Sequence, residues 1–336
     1  MILALSSVVY YQYTTNKFVF YSNLSERTGL FTESKSTGIV FTGDLFLGRD
    51  VEQKIKQFGS EYPLSEVSEF FAGSDYVVTN FEASVPNTHV PTPSGSFTFS
   101  VATSSLQLLK EAKVTHTSIA NNHSDDFGSE GYFETRDNLA RANLTPFGAP
   151  YSVGTSTSVT YVETKGGKIA LIGMNLAGAT FLEKEVETMM KEVSRVSNFQ
   201  VFYVHWGDEY EPVHSVHQEE VARKLVEQGA DLIVGHHPHV VQDVGLIDEV
   251  PVFYSLGNFI FDQYFSDAVQ TGLLLKLEVS ESSANIKLFG TTSMGTKAQS
   301  RLLEDEQNRA FLEELSLKSD EFLRESIATG QIQIAI

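Results

Sequence analysis

The 336-residue sequence has no cysteine, only one tryptophan and few basic residues. Without cysteine, the chain forms no disulfide, carries no thiol nucleophile and offers no thiolate metal site. Its 24 lysines and arginines are outnumbered by 43 aspartates and glutamates, which gives a formal net charge of −19. Nucleic-acid binding and docking on an anionic membrane both need a basic surface, so we expect no nucleic-acid partner.

Hydrophobic residues make up 41% of the chain and charged residues 20%, which is typical of a folded protein with a sizeable core. The length suggests two domains, or one large α/β unit with extensions. Because no Pro- or Gly-rich linker divides residues 38–290, we predict a single domain over this region.

The first residues of the chain are apolar but short. Residues 2–10 read ILALSSVVY, which is about half of the roughly 20 residues that span a bilayer, and no Lys or Arg precedes them. A Ser-, Thr-, Asn- and Glu-rich stretch then runs to Thr37. Two interpretations stay open: residues 1–37 are a short membrane anchor with a tether, or an apolar strand packs on the domain. An anchor would place the protein on the extracytoplasmic face of the membrane, or in the secreted fraction; a cytoplasmic location is also compatible.

From Gly38 onward, short apolar runs alternate with helical patterns. Strand–helix–strand order with short connections predicts parallel pairing and a layered α/β core. An acidic, amphipathic helical segment follows at residues 302–328. The predicted strands are GIVFTGD, DYVVTNFEAS (75–84), VTHTSIA, VFYVH, DLIVG and PVFYSLGNF (251–259), with a closing strand pair at 271–279 and 286–289. Helices are predicted to start at a Ser104–Gln107 capping box and to run over 129–143, and a hairpin is predicted at Gly166-Gly167.

Polar residues that can bind metal recur where these strands end. In an open α/β sheet, ligands bind at that edge, so we expect these side chains to meet. Imidazole, carboxylate and amide oxygen together suit Mn²⁺, Zn²⁺ or Fe²⁺, and we predict one or two such ions. The candidates are Asp44, Asn80, Glu82, Asn122, His123, His205, His237 and His239.

Two histidines flank a proline in His237-Pro238-His239. In an extended segment alternate residues point the same way, so both imidazoles are expected on one face. His205 ends the apolar run VFYV, where a rigid strand would hold a ligand.

We assign His123 a different role because it directly follows Asn122. If Asn122 points at the metal, His123 lies beside the ion and could protonate a leaving group. Asp126, three residues on, would orient the imidazole. The alternative is a local turn hydrogen bond between His123 and Asp126.

Six blocks of sequence, taken in order, resemble the bacterial capsule-synthesis protein CapA family, a branch of the calcineurin-like metallophosphatases. The resemblance implies a layered α/β/β/α sandwich of two mixed sheets flanked by helices. It also implies a metallophosphatase-like domain over residues 38–295, with an acidic helical extension over 296–336. The matching blocks are TGDLFLGRD, NFEASV, IANNHSDDFG, VHWGDEY, GADLIVGHHPHVVQ and YSLGNFIFD.

The resemblance also implies a two-metal site with His123 as catalytic acid. Two positions depart from the family pattern: Phe46 stands where metallophosphatases usually have histidine, and Glu82 stands near the usual aspartate. Losing a ligand at Phe46 is compatible with one tight and one weak ion, or with a single ion. The implied metal ligands are Asp44, Glu82, Asn122, His205, His237 and His239.

For function, the resemblance implies a role in making or handling poly-γ-glutamate, an anionic extracellular polymer. Our first hypothesis is a hydrolase that uses metal-activated water on a phosphoester or γ-glutamyl amide. Arg49 would then hold an anionic group bidentately, while Asn80, Glu209 and Asn258 would bind substrate. Because a −19 protein repels a polyanion, such binding would depend on the local field of the ions, Arg49 and the histidines.

Two further hypotheses remain. The protein could be a non-catalytic, anchored component that binds nascent polymer or a capsule-synthase partner, which the apolar N-terminus, the acidic tail and Phe46 favour. It could also be a general phosphoesterase acting on small phosphoesters.

Overall fold

The computed structural model describes residues 36–93 and 95–334. The predicted anchor at residues 2–10 and nearly all of the predicted tether lie outside these ranges. Among the described residues, none of the helices has both the length and the apolar character that crossing a membrane requires.

The described residues form fifteen strands and nine α-helices. In chain order the strands are β1 (Thr37–Leu45), β2 (Tyr76–Phe81), β3 (His116–Ser118), β4 (Thr145–Phe147), β5 (Val159–Thr164), β6 (Gly167–Asn175), β7 (Phe199–His205), β8 (Leu232–His236), β9 (Val244–Ile247), β10 (Val250–Phe253), β11 (Asn258–Ile260), β12 (Thr271–Val279), β13 (Ala284–Thr292), β14 (Arg301–Leu302) and β15 (Gln331–Ile334). The helices are α1 (Arg49–Phe58), α2 (Ser68–Ala72), α3 (Leu106–Glu111), α4 (Gly128–Arg141), α5 (Thr155–Ser158), α6 (Glu183–Val193), α7 (Val216–Glu227), α8 (Asp305–Lys318) and α9 (Arg324–Ala328).

The strands form two mixed sheets. The first has nine strands along the path β14-β13-β12-β1-β2-β3-β4, with β11 pairing with β1 and β15 with β13. Its β1–β4 pairs are parallel, and its β12–β15 pairs are antiparallel. The second runs β5-β6-β7-β8-β10-β9, parallel in its centre and antiparallel at both edges.

Three apolar clusters define the layers. Inward-facing residues of both sheets, such as Phe41 and Val201, fill the space between the sheets. Their alternating neighbours face outward, Val40 towards α1–α4 and Phe202 towards α6 and α7. Because successive strand residues point to opposite faces, each sheet is covered on both sides. The predicted sandwich of two mixed sheets flanked by helices is confirmed.

The C-terminal segment is built into this sandwich. Leu312 and Leu315 of α8 and Ile327 of α9 are buried in the core between the sheets, and β15 adds to the first sheet through antiparallel pairing with β13. The predicted helical segment is therefore present, but residues 296–334 belong to the same folded unit as the sheets. Strand β15 was not predicted from the sequence.

Two local predictions were wrong. The run PVFYSLGNF is not one strand, because β10 belongs to the second sheet and β11 to the first. Between them the chain crosses from one sheet to the other, with Gly257 in the left-handed region at φ +67°. The predicted capping box at Ser104–Gln107 is also absent: a 3₁₀ turn (Thr103–Ser105) precedes α3, and no side chain caps the helix.

Candidate metal centre

Strand register explains why distant polar residues meet. In the first sheet Asp44 is the cross-strand neighbour of both Asn80 and Asn258. In the second sheet His205 lies between Asn175 and His236. Parallel strands end at the same edge, so both sheets deliver their polar residues to one end of the sandwich.

A β-bulge directs Asp44 into this site. On β1 the register shifts between Phe41 and Asp44, which inserts an extra residue opposite β2. The adjacent Gly43 allows the strand to approach the sheet-crossing loop, since a Cβ there would overlap the carbonyl oxygen of Gly257. Asp44 N–H donates to that same oxygen at 2.9 Å. The sequence signal for the bulge is the Thr-Gly-Asp run.

Glu82 is the central group of the site. Its side chain is fully buried, and neither carboxylate oxygen has a hydrogen-bond partner. Its Oε1 lies 3.8 Å from His123 Nε2 and 3.9 Å from the Nε2 atoms of both His205 and His239. These distances are too long for hydrogen bonds. Because a buried unpaired carboxylate is costly, a cation is the partner that this arrangement fits.

Two overlapping groups of buried side chains could hold metal. In each group the ligand atoms lie within 4.8 Å of one another. One group is Glu82, His205 and His237, and the other is Asp44, Glu82 and His239. Glu82 belongs to both, so its carboxylate could bridge two ions. The chemistry of the donors also fits, since carboxylate and imidazole are ligands of Mn²⁺, Zn²⁺ and Fe²⁺.

His237 and His239 reach the site in a way that we did not predict. The segment is not extended, because His237 has φ +96° and His239 φ +58°, both in the left-handed region. The two rings lie 6.1 Å apart and belong to the two different ligand groups. Non-glycine residues rarely adopt this conformation, and such strain concentrates at functional sites. The same-face argument for an extended strand was therefore wrong.

Hydrogen bonds orient the ligand side chains. His239 Nδ1 lies 2.9 Å from Asn258 Oδ1, which leaves Nε2 facing Glu82. His205 Nε2 lies 2.7 Å from Asn122 Oδ1, so these two predicted ligands are in contact. Asn80 donates to Asp44 Oδ1 at 2.7 Å and lies 3.1 Å from His205 Nδ1. Partners of this kind fix which ring nitrogen is available to a metal.

Electrostatics divide the site into neutral and charged groups. Burial lowers the pKa of His205 well below its usual value and that of His237 to about 4, which keeps both imidazoles neutral. Burial raises the pKa of Glu82 well above its usual value. Burial alone would also raise the pKa of Asp44, but the imidazoles of His236 and His239 hold that pKa well below its usual value. Burial opposes protonation of His239, yet Glu82 and Asp44 raise its pKa to about 9.

His123 and Asp126 form a dyad at the edge of the site. His123 Nδ1 lies 2.9 Å from Asp126 Oδ2, and the exposed fraction of the His123 side chain is 12%. Asn121 is fully buried and accepts from His123 N–H at 3.1 Å, which fixes the turn after β3. We had considered two alternatives for Asp126, a local turn hydrogen bond to His123 and a role in orienting the imidazole. The one contact observed, between His123 Nδ1 and Asp126 Oδ2, fits both.

The predicted substrate-binding residues are placed differently. Arg49 forms a bidentate ion pair with Asp262 and donates to Ser96 O at 2.6 Å, so its guanidinium is not free to hold an anion as predicted. Asn80 and Asn258 are buried and orient ligands instead. Of the four predicted substrate-binding residues, Glu209 alone is exposed, and its charge acts on Glu82 and His237.

Three residues near the site were missed or not understood from sequence. Phe46 is fully buried and stacks on Phe99 at a ring-centroid distance of 4.5 Å, so the position expected to hold a ligand belongs to an aromatic cluster. His236 is buried with both ring nitrogens unpartnered, and its Nδ1 lies 3.5 Å from Asp44 Oδ1. The run of histidines in GHHPH was the available signal for His236, whereas nothing in the sequence around Phe99 indicated its place.

Comparison with known proteins places this site in a family. The model of the family described as bacterial capsule synthesis protein PGA_cap matches residues 38–263. The chain is 30% identical over 262 residues to "Capsule biosynthesis protein CapA" of Bacillus anthracis, covering 72% of this chain and 64% of that protein. It is 33% identical over 238 residues to "PGA biosynthesis protein CapA" of Bacillus subtilis (strain 168), covering 66% and 63%.

The chain thus spans somewhat under two thirds of the length of these curated relatives. A solved structure, a hypothetical protein from Thermus thermophilus, is similar with a TM-score of 0.47 and 13% identity over 80% of this chain and 99% of that one. The family match contains every predicted metal ligand, from Asp44 to His239. The chain belongs to the bacterial capsule synthesis protein family PGA_cap.

Proposed function

We propose that this protein is a metal-dependent hydrolase of capsule or poly-γ-glutamate biosynthesis, acting on a phosphoester or a γ-glutamyl amide. One observation carries the proposal. The fully buried Glu82 carboxylate has no hydrogen-bond partner and faces three imidazole nitrogens at 3.8–3.9 Å. A folded protein retains such a group where it serves a function that outweighs its cost.

Six side chains would hold one or two divalent ions. Glu82 would be shared, with His205 and His237 on one side and Asp44 and His239 on the other. Asn122 would complete the first group, because its Oδ1 lies 2.7 Å from His205 Nε2. An ion held there would lower the pKa of a water molecule and supply the nucleophile at neutral pH.

His123 would act as general acid. Its Nδ1 is held by Asp126 at 2.9 Å, so Nε2 faces Glu82, whose Oε1 lies 3.8 Å away. A partly exposed ring in this position can protonate the departing oxygen or nitrogen of a substrate. The hydrogen bond to Asp126 occupies Nδ1, so Nε2 is the nitrogen that would pass a proton to the substrate.

Substrate binding would depend on the ions rather than on a free guanidinium, because Arg49 is paired with Asp262. The exposed Glu209, whose charge acts on Glu82 and His237, adds negative charge beside the metal ligands. An anionic polymer would therefore be repelled at long range, although salt screens this repulsion beyond about 8–10 Å. A short anionic segment at the ions would be the group that is recognised.

The test is a His123→Gln variant of the Mn²⁺-loaded protein assayed on phenyl phosphate, diphenyl phosphate and γ-glutamyl-p-nitroanilide, whose leaving groups depart faster when they are protonated. We expect hydrolysis of at least one probe by the natural sequence, and a loss of about 10²–10⁴-fold in kcat for the variant with metal content unchanged. The matched control is His217→Gln, on the exposed side of α7. Full activity in His123→Gln would contradict the assigned role.

A second function is favoured by one observation, the placement of Phe46 in the aromatic cluster in place of a ligand. A site with fewer ligands fits a non-catalytic component that binds nascent polymer or a synthase partner, with the metal stabilising the fold. Tight metal binding without hydrolysis of any of the three probes would favour this alternative. Hydrolysis of simple phosphoesters alone would instead indicate a general phosphoesterase.

A further inference from the structure

The His123 ring lies flat against the ring of Phe99. Their centroids are 3.6 Å apart and the ring planes differ by only 14°. Phe99 is 5% exposed, and its ring is in turn stacked on Phe46, with centroids 4.5 Å apart and planes 22° apart. Phe46 is fully buried and also packs against Phe261, at 5.4 Å. Phe99 thus connects the partly exposed imidazole to the rigid core of the first sheet.

The main chain of Phe99 contacts the other member of the dyad. Its N–H donates to Asp126 Oδ2 at 2.6 Å, the same oxygen that lies 2.9 Å from His123 Nδ1. One residue therefore supports the imidazole through its ring and the carboxylate through its backbone. Neither contact is local in sequence, since Phe99 precedes His123 by 24 positions.

Ser84 holds the two segments together. Its N–H donates to Phe99 O at 2.9 Å, and its hydroxyl donates to His123 O at 3.0 Å. Ser84 is fully buried and follows Glu82 by two residues. A short, buried stretch of backbone therefore sets the distances among the Phe99 ring, the His123 imidazole and the Glu82 carboxylate.

We propose that Phe99 is a positioning residue for His123: it fixes the plane of the imidazole and the place of its Asp126 partner, so that Nε2 is directed at the reacting group. The catalytic part of this inference rests on the proposed hydrolase function, whereas the geometric part does not. A side chain with a hydrogen bond at one nitrogen can still rotate about that bond. Stacking on Phe99 removes this freedom.

The experiment compares Phe99→Leu, Phe99→Tyr and the control Phe97→Leu in the full-length, Mn²⁺-free and Mn²⁺-loaded protein. Phe97 is 88% exposed and two residues away, so the control makes the same chemical change on the same loop. Imidazole ¹H–¹³C spectra of the metal-free protein report ring stacking, with the His123 signal assigned from His123→Gln. Hydrolysis of phenyl phosphate, whose leaving group departs faster when it is protonated, and Mn²⁺ affinity are measured in parallel.

We expect the His123 ring protons to be shifted upfield by Phe99 in the natural sequence, in Phe99→Tyr and in Phe97→Leu, and to lose that shift in Phe99→Leu. We also expect kcat to fall about 100-fold in Phe99→Leu alone, with Mn²⁺ affinity unchanged. A merely structural role would not separate kcat from metal affinity in this way.

Three results would overturn the inference. The first is a His123 signal that is not shifted upfield in the natural sequence. This result can be obtained whether or not Phe99→Leu folds. The second is a signal that Phe99→Leu does not move. The third is a kcat that Phe99→Leu and Phe97→Leu lower equally. Failure of the natural sequence to hydrolyse any probe would instead count against the proposed function, and the spectra would still decide the positioning role.

Discussion

Asn258 Oδ1 lies 2.9 Å from His239 Nδ1, and this hydrogen bond leaves the other ring nitrogen of His239 facing Glu82. The Asn258 amide is itself fixed, since it donates to Gln263 Oε1 and to Val269 O, both at 3.0 Å. Asn258 begins β11, the short strand that the chain reaches after crossing between the sheets. The crossing therefore places the residue that orients a metal ligand.

Replacing Asn258 should weaken metal binding without removing a ligand. For Asn258→Leu we expect the Mn²⁺ dissociation constant to rise about 10–100-fold, because the His239 ring loses the partner that fixes its orientation. Isothermal titration with Mn²⁺ measures the change. Gln263→Leu, one hydrogen bond further from the metal, is the control and should have a smaller effect. Equal affinities for Asn258→Leu and the natural sequence would show that His239 is oriented by other contacts.

Lys318 should link the C-terminal helix to the loops beside the site. Its Nζ donates to Val241 O at 2.7 Å and to Pro212 O at 3.3 Å. In Lys318→Met both carbonyls lose this donor, so we expect the free energy of unfolding to fall by about 1–3 kcal/mol. Urea unfolding measures it. Lys191→Met removes an exposed i,i+4 pair and should change stability by less than about 0.5 kcal/mol. Equal losses in both variants would refute a role for Lys318 as a link.

Stability should fall in mild acid because of His116, which is 7% exposed. Burial lowers the pKa of His116 to about 4 from its usual 6.5. Between these two pH values the unfolded chain binds a proton at His116 that the folded chain does not bind. The contribution of His116 to the free energy of unfolding is therefore complete above pH 6.5 and is lost as the pH falls towards 4. The loss from this group is about 3 kcal/mol.

The check for His116 is urea unfolding at pH 7.5, 5.5 and 4.5 for the natural sequence and His116→Gln. The variant cannot titrate at this position, so its stability should depend less steeply on pH over this range. Parallel pH dependences would mean that His116 is not the group responsible.

Much of the candidate site could be predicted from sequence because it depends on strand ends. Asp44, Glu82 and His205 each follow an apolar run, and parallel strands bring their ends to one edge. The ligand types alone then indicated a divalent metal. The alternation of strands and helices predicted a layered α/β core, and the resemblance to the CapA family implied the sandwich of two mixed sheets.

What could not be predicted depends on contacts between distant residues. The pairing of Arg49 with Asp262 joins positions 213 residues apart, and no local pattern encodes it. His237 and His239 adopt left-handed conformations in a turn. The sequence GHHPH alone does not distinguish this turn from a strand. Residues 331–334 form strand β15 through antiparallel pairing with β13, a contact between segments that are distant in sequence.

The most direct test of the metal centre is the metal content of the purified protein and of Glu82→Gln after dialysis against Mn²⁺ or Zn²⁺, with Glu130→Gln on the exposed surface of α4 as control. We expect one or two equivalents bound by the natural sequence and by Glu130→Gln, and a loss of at least one equivalent, or of about 100-fold in affinity, in Glu82→Gln. Equal metal content in all three proteins, or none in any, would contradict a metal centre built around Glu82.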